Sequence, residues 1–376
     1  MNRRAALATL PVGLLAGGCT LPLPQDLDAP EPPWPVAADY PQRFRTLGNR
    51  IVDAAGQPRI FRGVAVPEAL WLSQRQDERL GFFDRNLFRA AAEWRADTVR
   101  LSIMPAVLRH HGEAMAMRVL DAGVAYARRY GLYLILCFHA IGFPPDERFT
   151  LTRDGFYGDL HATSGAELYR FWQAVARRYA GNPTVAFYEI FNEPTLVNPD
   201  RTPSDADGAE HWLRWRDYAE ALVDAIRLVD VQKPVIVGGL QYSYDLSHAA
   251  AAPLRRDNIV YATHPYAGSD WRRGWEAAFL GPARTLPVIA TEFGWDAEDH
   301  PESAHRGAGR YRDAIFAAFD AAGIGWIAWA FSHSFTPALL QDARTYRPTG
   351  YGLVVLQALQ RRAAPIGPVR GVFIAA

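Results

Sequence analysis

From residue 60 onward, short apolar runs rich in Val, Ile and aromatic residues alternate with longer segments whose apolar positions recur every three or four residues. The runs predict eight strands, at 60–66, 98–103, 132–139, 184–191, 234–239, 259–264, 288–293 and 324–331. The amphipathic segments predict helices near 84–94, 115–130, 164–179, 212–229, 271–279, 310–322 and 353–361. Ser164-Gly-Ala-Glu167 reads as a capping box, with Leu168, Phe171, Trp172, Val175 and Tyr179 on one helix face. Trp212, Trp215, Ala219, Leu222, Ile226 and Val229 mark another buried face, so Trp172, Trp212 and Trp215 are expected in the core. Residues 44–60, around Asp53-Ala-Ala-Gly56-Gln-Pro58, predict a short hairpin ahead of the first strand.

Strands that alternate with helices over this length require parallel pairing through crossovers. The economical closed solution is an α/β (β/α)8 TIM barrel over residues 44–376, and a doubly wound open sheet is the alternative. No Gly-x-Gly-x-x-Gly follows the first strand, which favours the barrel.

The chain has 376 residues, 49% of them hydrophobic, enough for one large core. Its formal net charge is +0 with no like-charge block, so a nucleic-acid partner is not expected. Aromatic content is high, with Trp 11, Tyr 16 and Phe 19, which suits flat amphipathic ligands as well as a bulky core.

The first residues pattern as an export signal. Asn2-Arg3-Arg4 is basic, Ala5 to Leu15 is apolar but too short for a stable span, and Ala16-Gly17-Gly18-Cys19 resembles a bacterial lipoprotein cleavage box. Residues 1–18 are therefore expected to be removed and Cys19 to carry lipid. Ala16 stands where that box usually has leucine, and an ordinary secretory signal is the alternative. The Arg pair hints at twin-arginine export, but the rest of that motif is missing. Residues 19–43 are rich in proline and read as an extended tether. The expected location is the bacterial envelope, outer membrane or periplasm, or outside the cell, and the only expected membrane contact is the lipid. With Cys19 lipidated, Cys137 has no disulfide partner, and its apolar strand predicts a small buried hydrophobe.

In a barrel of this kind the reactive groups sit at the carboxyl ends of the strands. The second strand carries Arg100, and the third ends in His139. The fourth ends in Asn192-Glu193-Pro194, the sixth in His264-Pro-Tyr266, the seventh in Glu292 and the eighth in Trp329. Buried strands normally avoid such polar groups, so their convergence on one rim predicts a site. Two carboxylates among them point to acid–base or nucleophilic work.

This ordered set, with Thr-Glu-Phe-Gly around Glu292, resembles glycoside hydrolase family 5, the cellulase family of (β/α)8 retaining glycosidases. The resemblance runs from about Phe44 to the last helix. It implies Glu193 as general acid/base and Glu292 as nucleophile, with no cofactor and no metal. It also implies that Asn192 binds the sugar 2-hydroxyl, that Arg100 and Tyr266 hold the nucleophile, that His139 and His264 line the subsite, and that Trp329 is a platform. Family members often carry an acidic residue two positions before His139, where this chain has Cys137. The implied activity is hydrolysis of a β-linked glucan, foremost as an endo-β-1,4-glucanase acting as a monomer. Mannan, a β-1,3-glucan or an envelope or secreted polysaccharide are alternative substrates, and a noncatalytic glycan-binding barrel is the alternative from another class.

Other chemistries lack their residues. The first strand, Phe61-Arg-Gly-Val-Ala-Val66, has no His-x-His for a metal-dependent barrel hydrolase, and no zinc spacing is present. No Gly-x-Ser-x-Gly elbow offers an esterase nucleophile. Phe293-Gly-Trp295 and Ser332-His-Ser-Phe335 replace the Gly-rich turns of a phosphate-binding barrel. Trp271, Trp275 and Trp295 follow strand ends, where they serve either as aromatic subsites or as loop packing.

Overall fold

The computed structural model describes residues 33–74, 83–149, 155, 157–196, 205–269, 273–296, 308–342 and 344–361. Eight parallel strands close into a barrel: β1 (Arg62–Val66), β2 (Thr98–Ile103), β3 (Tyr133–Phe138), β4 (Val185–Glu189), β5 (Val235–Gly238), β6 (Ile259–Thr263), β7 (Val288–Ala290) and β8 (Gly325–Ala328). Each pairs with the next, and β8 closes on β1 through Trp326↔Arg62, Ile327↔Gly63 and Ala328↔Val64. The (β/α)8 expectation holds.

The period of two along each strand sorts side chains into two cores. Ala65, Ile135, Phe187, Ile236, Ala262, Ile289 and Ile327 form one buried cluster. Their neighbours Val64, Leu134, Tyr188, Val237, Tyr261 and Ala328 join the larger cluster shared with the helices. The helices at Glu113–Tyr130, Gly165–Tyr179 and Asp205–Arg227 match the periodic segments. Ser164 caps the second of these by accepting from the Glu167 amide. Trp172, Trp212 and Trp215 are buried, and their indoles donate to the carbonyls of Ile190, Ala252 and Gly238.

At the amino end of the barrel Phe44, Phe61, Tyr133 and Phe187 form an aromatic plug, with Phe44–Phe61 centroids 4.8 Å and Phe61–Phe187 centroids 5.0 Å apart. The end of the Pro-rich stretch packs there too. The Tyr40 hydroxyl donates to the Leu132 carbonyl at 2.8 Å, and Trp34 meets Tyr130 edge-on.

The expected hairpin turn is present and is preceded by a second one: Arg45–Leu47 pairs with Arg50–Val52 about Gly48 at φ +57°, and Val52 then bridges Pro58 across the turn that holds Gly56 at φ +79°. Two other local expectations differ from the structure. The helix expected near 271–279 is, among the described residues, a π-helical turn at Glu276–Leu280 followed by a 3-10 turn at Pro282–Arg284. The fourth strand does not run on to Asn-Glu-Pro. It leaves the barrel after Glu189, and Glu193–Pro194 pairs instead with Ile141–Gly142 in a small three-stranded sheet. The short helices Ala69–Gln74 and Pro105–His111 were not foreseen. Residues 1–32, with the expected export signal and Cys19, lie outside the described residues, as does Trp271. No helix among the described residues is long and apolar enough to cross a membrane.

Candidate active site

At the carboxyl end of the barrel the strands deliver Arg100, Asn192, Glu193, His264, Tyr266 and Glu292 to one bonded cluster. Arg100, from the middle of β2, is fully buried. Its Nη1 donates to Glu292 Oε1 at 2.7 Å, and its Nη2 donates to Asn192 Oδ1 at 2.6 Å. The Tyr266 hydroxyl donates to Glu292 Oε2 at 2.7 Å. One donor on each oxygen suits an ionised Glu292 held in a single orientation. Burial and the Glu292 charge keep the Tyr266 phenol well above its usual range, so it remains a donor.

The Asn192 amide orientation follows from Arg100. Its oxygen is taken, and its Nδ2 is buried with no protein partner. That nitrogen is a donor awaiting an acceptor on a ligand. The Asn192 carbonyl accepts from Ser243 Oγ at 2.7 Å. Ser243 ends a run of three left-handed residues, Gln241, Tyr242 and Ser243, with φ between 55° and 61°. The run ties the Pro194 carbonyl to the Tyr242 amide and the Ser243 carbonyl to the His264 amide. Strained backbone held by its surroundings in this way is common at functional sites.

Glu193 is the acid/base candidate. Its Oε1 lies 3.0 Å from His264 Nδ1. Burial raises its carboxyl above the usual range, and the nearby Glu292 charge adds to that, against the pull of His264. Burial pushes His264 down, but Glu292 and the contacts with Glu189 and Glu193 outweigh it and carry the imidazole up to about 9. One polar atom each from Glu193, His264 and Glu292 lies within 4.8 Å of the others. Retaining glycosidases hold their carboxyl groups about 5–5.5 Å apart and inverting ones about 6.5–9.5 Å apart, so the spacing is of the retaining kind. The Arg100 guanidinium bonded to Glu292 would repel a cation from this cluster, so its closeness serves proton sharing.

His139 and Trp329 form the adjoining wall, ring centroids 5.3 Å apart. Burial, then His161 and Arg100, hold the His139 imidazole well below its usual range, so it is neutral. Its Nδ1 is buried without a protein partner. The Trp329 indole donates to the Thr336 carbonyl at 3.2 Å, which fixes the ring. Trp295 is packing, 4.3 Å from Tyr351, and Trp275 packs on Phe279 and Tyr311.

The sequence reading passed over Glu189. It is fully buried at the end of β4, and its two oxygens accept from Arg100 Nε at 2.5 Å and Nη2 at 3.1 Å. Thr291 Oγ1 donates to its Oε1 at 2.7 Å. Burial opposes its charge, yet Arg100 and the adjoining groups hold the carboxyl down at about 2. A charged residue inside an apolar run was the signal for it. Cys137 is more than a buried hydrophobe. It is the register partner of Glu189, and its Sγ accepts from Arg100 Nη2 at 3.0 Å. Burial keeps its thiol well above the usual range, so it brings no charge.

A closed (β/α)8 barrel with two carboxylates at retaining distance on its carboxyl rim is an arrangement suited to a retaining glycoside hydrolase. The chain belongs to the cellulase family, glycosyl hydrolase family 5, whose sequence pattern matches residues 52–334. Endoglucanase E-5 of Thermobifida fusca is 26% identical over 305 residues, covering 78% of this chain and 56% of that protein. Endoglucanase Z of Dickeya dadantii is 34% identical over 140 residues, 37% of this chain and 30% of that one. The chain thus spans about half or less of the length of the curated relatives it matches. Among solved structures, the native beta-glucanase SdGluc5_26A of Saccharophagus degradans superposes with a TM-score of 0.76 at 29% identity, covering 89% of this chain and 98% of that one. The same protein in complex with cellotetraose gives 0.75 over 90% of this chain and 99% of that one, again at 29% identity.

Proposed function

We propose that the protein is a retaining endo-β-1,4-glucanase. The observation that carries this reading is the pairing of Glu292, gripped by Arg100 and Tyr266, with a proton-sharing Glu193 inside 4.8 Å. Glu292 attacks the anomeric carbon while Glu193 gives its proton to the leaving glycosidic oxygen. A covalent glycosyl ester on Glu292 results. Glu193, now a carboxylate, takes a proton from water, whose oxygen displaces Glu292 and restores both carboxyls. Asn192 Nδ2 is placed to bond the sugar 2-hydroxyl, neutral His139 lines the subsite, and Trp329 lies under the ring. Membership of the cellulase family and the likeness to a beta-glucanase solved with cellotetraose support a β-1,4-linked glucan as substrate.

The test is product release from a panel of β-glucans, mannan and xylan, with Glu292→Ala alongside. The reading expects rapid cleavage of a β-1,4-glucan by the wild type alone. Cleavage of mannan instead would move the substrate, and binding without cleavage would make the barrel a glycan-binding module.

The reading extends to location. Export and lipid anchoring at Cys19 are supported by the basic start, the apolar run and Ala16-Gly17-Gly18-Cys19. Membrane fractionation of Cys19→Ala tests it, since loss of the anchor releases the protein to the soluble fraction. One barrel supplies the whole set of site residues, which supports a monomer, and sedimentation tests that.

A further inference from the structure

The hydrogen bonds behind His264 dictate where its protons sit. Glu189 is an ionised, acceptor-only carboxylate, so the Thr291 hydroxyl must donate to it, and the Thr291 proton is thereby spent. His264 Nε2 stands 2.9 Å from that same Thr291 oxygen, which has only lone pairs left to offer. Nε2 must therefore be N–H. Of the ring nitrogens only Nδ1 is then free to gain or lose a proton, and Nδ1 faces Glu193 Oε1 at 3.0 Å.

The geometry points to Glu189 and Thr291 as positioning residues that lock the Nε2 tautomer of His264, so that Nδ1 and the Glu193 carboxyl share a single proton. This deepens the glucanase reading and rests on it for its catalytic meaning. In one arrangement an imidazolium Nδ1–H donates to ionised Glu193, and in the other a carboxylic Glu193 donates to bare Nδ1. The proton moves between two atoms with no change in net charge, so the acid is loaded without importing charge into a buried site. A second neutral tautomer, with the proton on Nδ1 and Nε2 bare, would leave two lone pairs facing each other at Thr291. The lock excludes it. Losing the last proton would likewise set ionised Glu193 against bare Nδ1, so the loaded state persists to higher pH.

The charges around His264 are consistent with this. Glu189 and Glu193 come from the β4 end and Glu292 from β7, the last 3.8 Å from Nδ1. Arg100 from β2 is bound to Glu189 and Glu292, and Tyr266 donates to Glu292. Cys137 and His139 on the β3 side are neutral.

The experiment compares wild type, Thr291→Val and Thr291→Ser in the pH profile of kcat/KM on a soluble β-glucan, with 15N spectra of histidine-labelled protein. The His264 signals are assigned by their loss in His264→Asn. Valine keeps the shape and removes the acceptor at Nε2, and serine restores it. The basic limb should fall by about one pH unit or more in Thr291→Val, the loss of one hydrogen bond to a charged group, and return in Thr291→Ser, with the acidic limb unmoved. A purely structural role for Thr291 would lower the rate equally at every pH, and an unmoved basic limb overturns the proposal. In wild type, Nε2 should carry the protonated nitrogen shift at every pH up to the basic limb. A bare-nitrogen shift there overturns the lock even if no substrate is cleaved. An inactive wild type with protonated Nε2 would sink the glucanase reading and leave the tautomer lock standing.

Discussion

Arg100 Nε stands 2.5 Å from Glu189 Oε2, and neither side chain reaches solvent. The second donor, Nη2 to Oε1 at 3.1 Å, makes the contact two-pronged. The same guanidinium still reaches Glu292 and Asn192. Glu189 therefore sets the position of the cation that in turn orients Glu292. Breaking a buried pair leaves a charge without its partner, a more costly change than losing a surface bridge.

Glu189→Gln should therefore weaken the fold by roughly 3 kcal/mol, read from denaturant midpoints at neutral pH. The substitution keeps the shape of the side chain and removes only the charge. Cys137 is its register partner and already touches Arg100 Nη2. Adding Cys137→Asp to Glu189→Gln should restore much of that loss, because the carboxylate is put back on the neighbouring strand. Full stability in the single variant would show that Glu292 alone neutralises Arg100.

The pH dependence of stability follows from the same pair. The Glu189 carboxyl is held at about 2 in the folded protein against its ordinary 4.5. A depressed carboxylate contributes stability above its unfolded pKa and loses it as pH falls through the folded value. Its share, about 3 kcal/mol by linkage, is thus present above pH ~4.5 and gone near pH ~2. Acid unfolding followed by circular dichroism should be shallower in this window for Glu189→Gln than for wild type.

The strand ends were legible in the sequence because each broke an apolar run with a group that a buried strand avoids. That logic located Glu193, Glu292, Asn192, His264 and Tyr266, and the structure brings them into one cluster with Arg100, which lies inside its strand and was marked by the family resemblance. It passed over Glu189, which lies inside its run instead of at the end, where Ile190 and Phe191 conceal the break. Thr291 and Ser243 were illegible for a different reason. A hydroxyl in a strand or a turn is ordinary, and its role exists only through partners far away in the chain, Glu189 and Asn192. The small sheet that holds Glu193 needs the pairing of Ile141 with a residue 52 positions later, which no local pattern encodes.

Gly238 tests the left-handed turn at the end of β5. A Cβ there would lie 2.1 Å from Ser243 Oγ and 3.1 Å from Pro194 Cδ. Gly238→Ala should push Ser243 off the Asn192 carbonyl while the barrel still closes, since β5 keeps its ladder with β6. The expected result is a fall in kcat of about tenfold or more with a modest loss of melting temperature, because small displacements of positioned groups cost rate steeply. Ser243→Ala, which removes only the donor, should cost about 1 kcal/mol of stability and less rate.

The leaving group separates the two carboxylates. A glycosidic oxygen in a glucan is a poor leaving group and needs the Glu193 proton, so Glu193→Gln should lower the rate on polymer by about 10²–10⁴-fold. An aryl glycoside whose phenol is already acidic departs without that proton. On such a substrate Glu193→Gln should show a burst of phenol close to wild type, because Glu292 still attacks. A slow steady state follows, because no base remains to activate water. Glu292→Gln should be slow on both substrates and show no burst, since Arg100 and Tyr266 would then grip an amide that cannot form the ester. A burst in Glu292→Gln and none in Glu193→Gln would exchange the two roles. The structure argues against that exchange: both oxygens of Glu292 already accept from fixed donors, Arg100 and Tyr266, whereas Glu193 Oε1 faces His264 Nδ1.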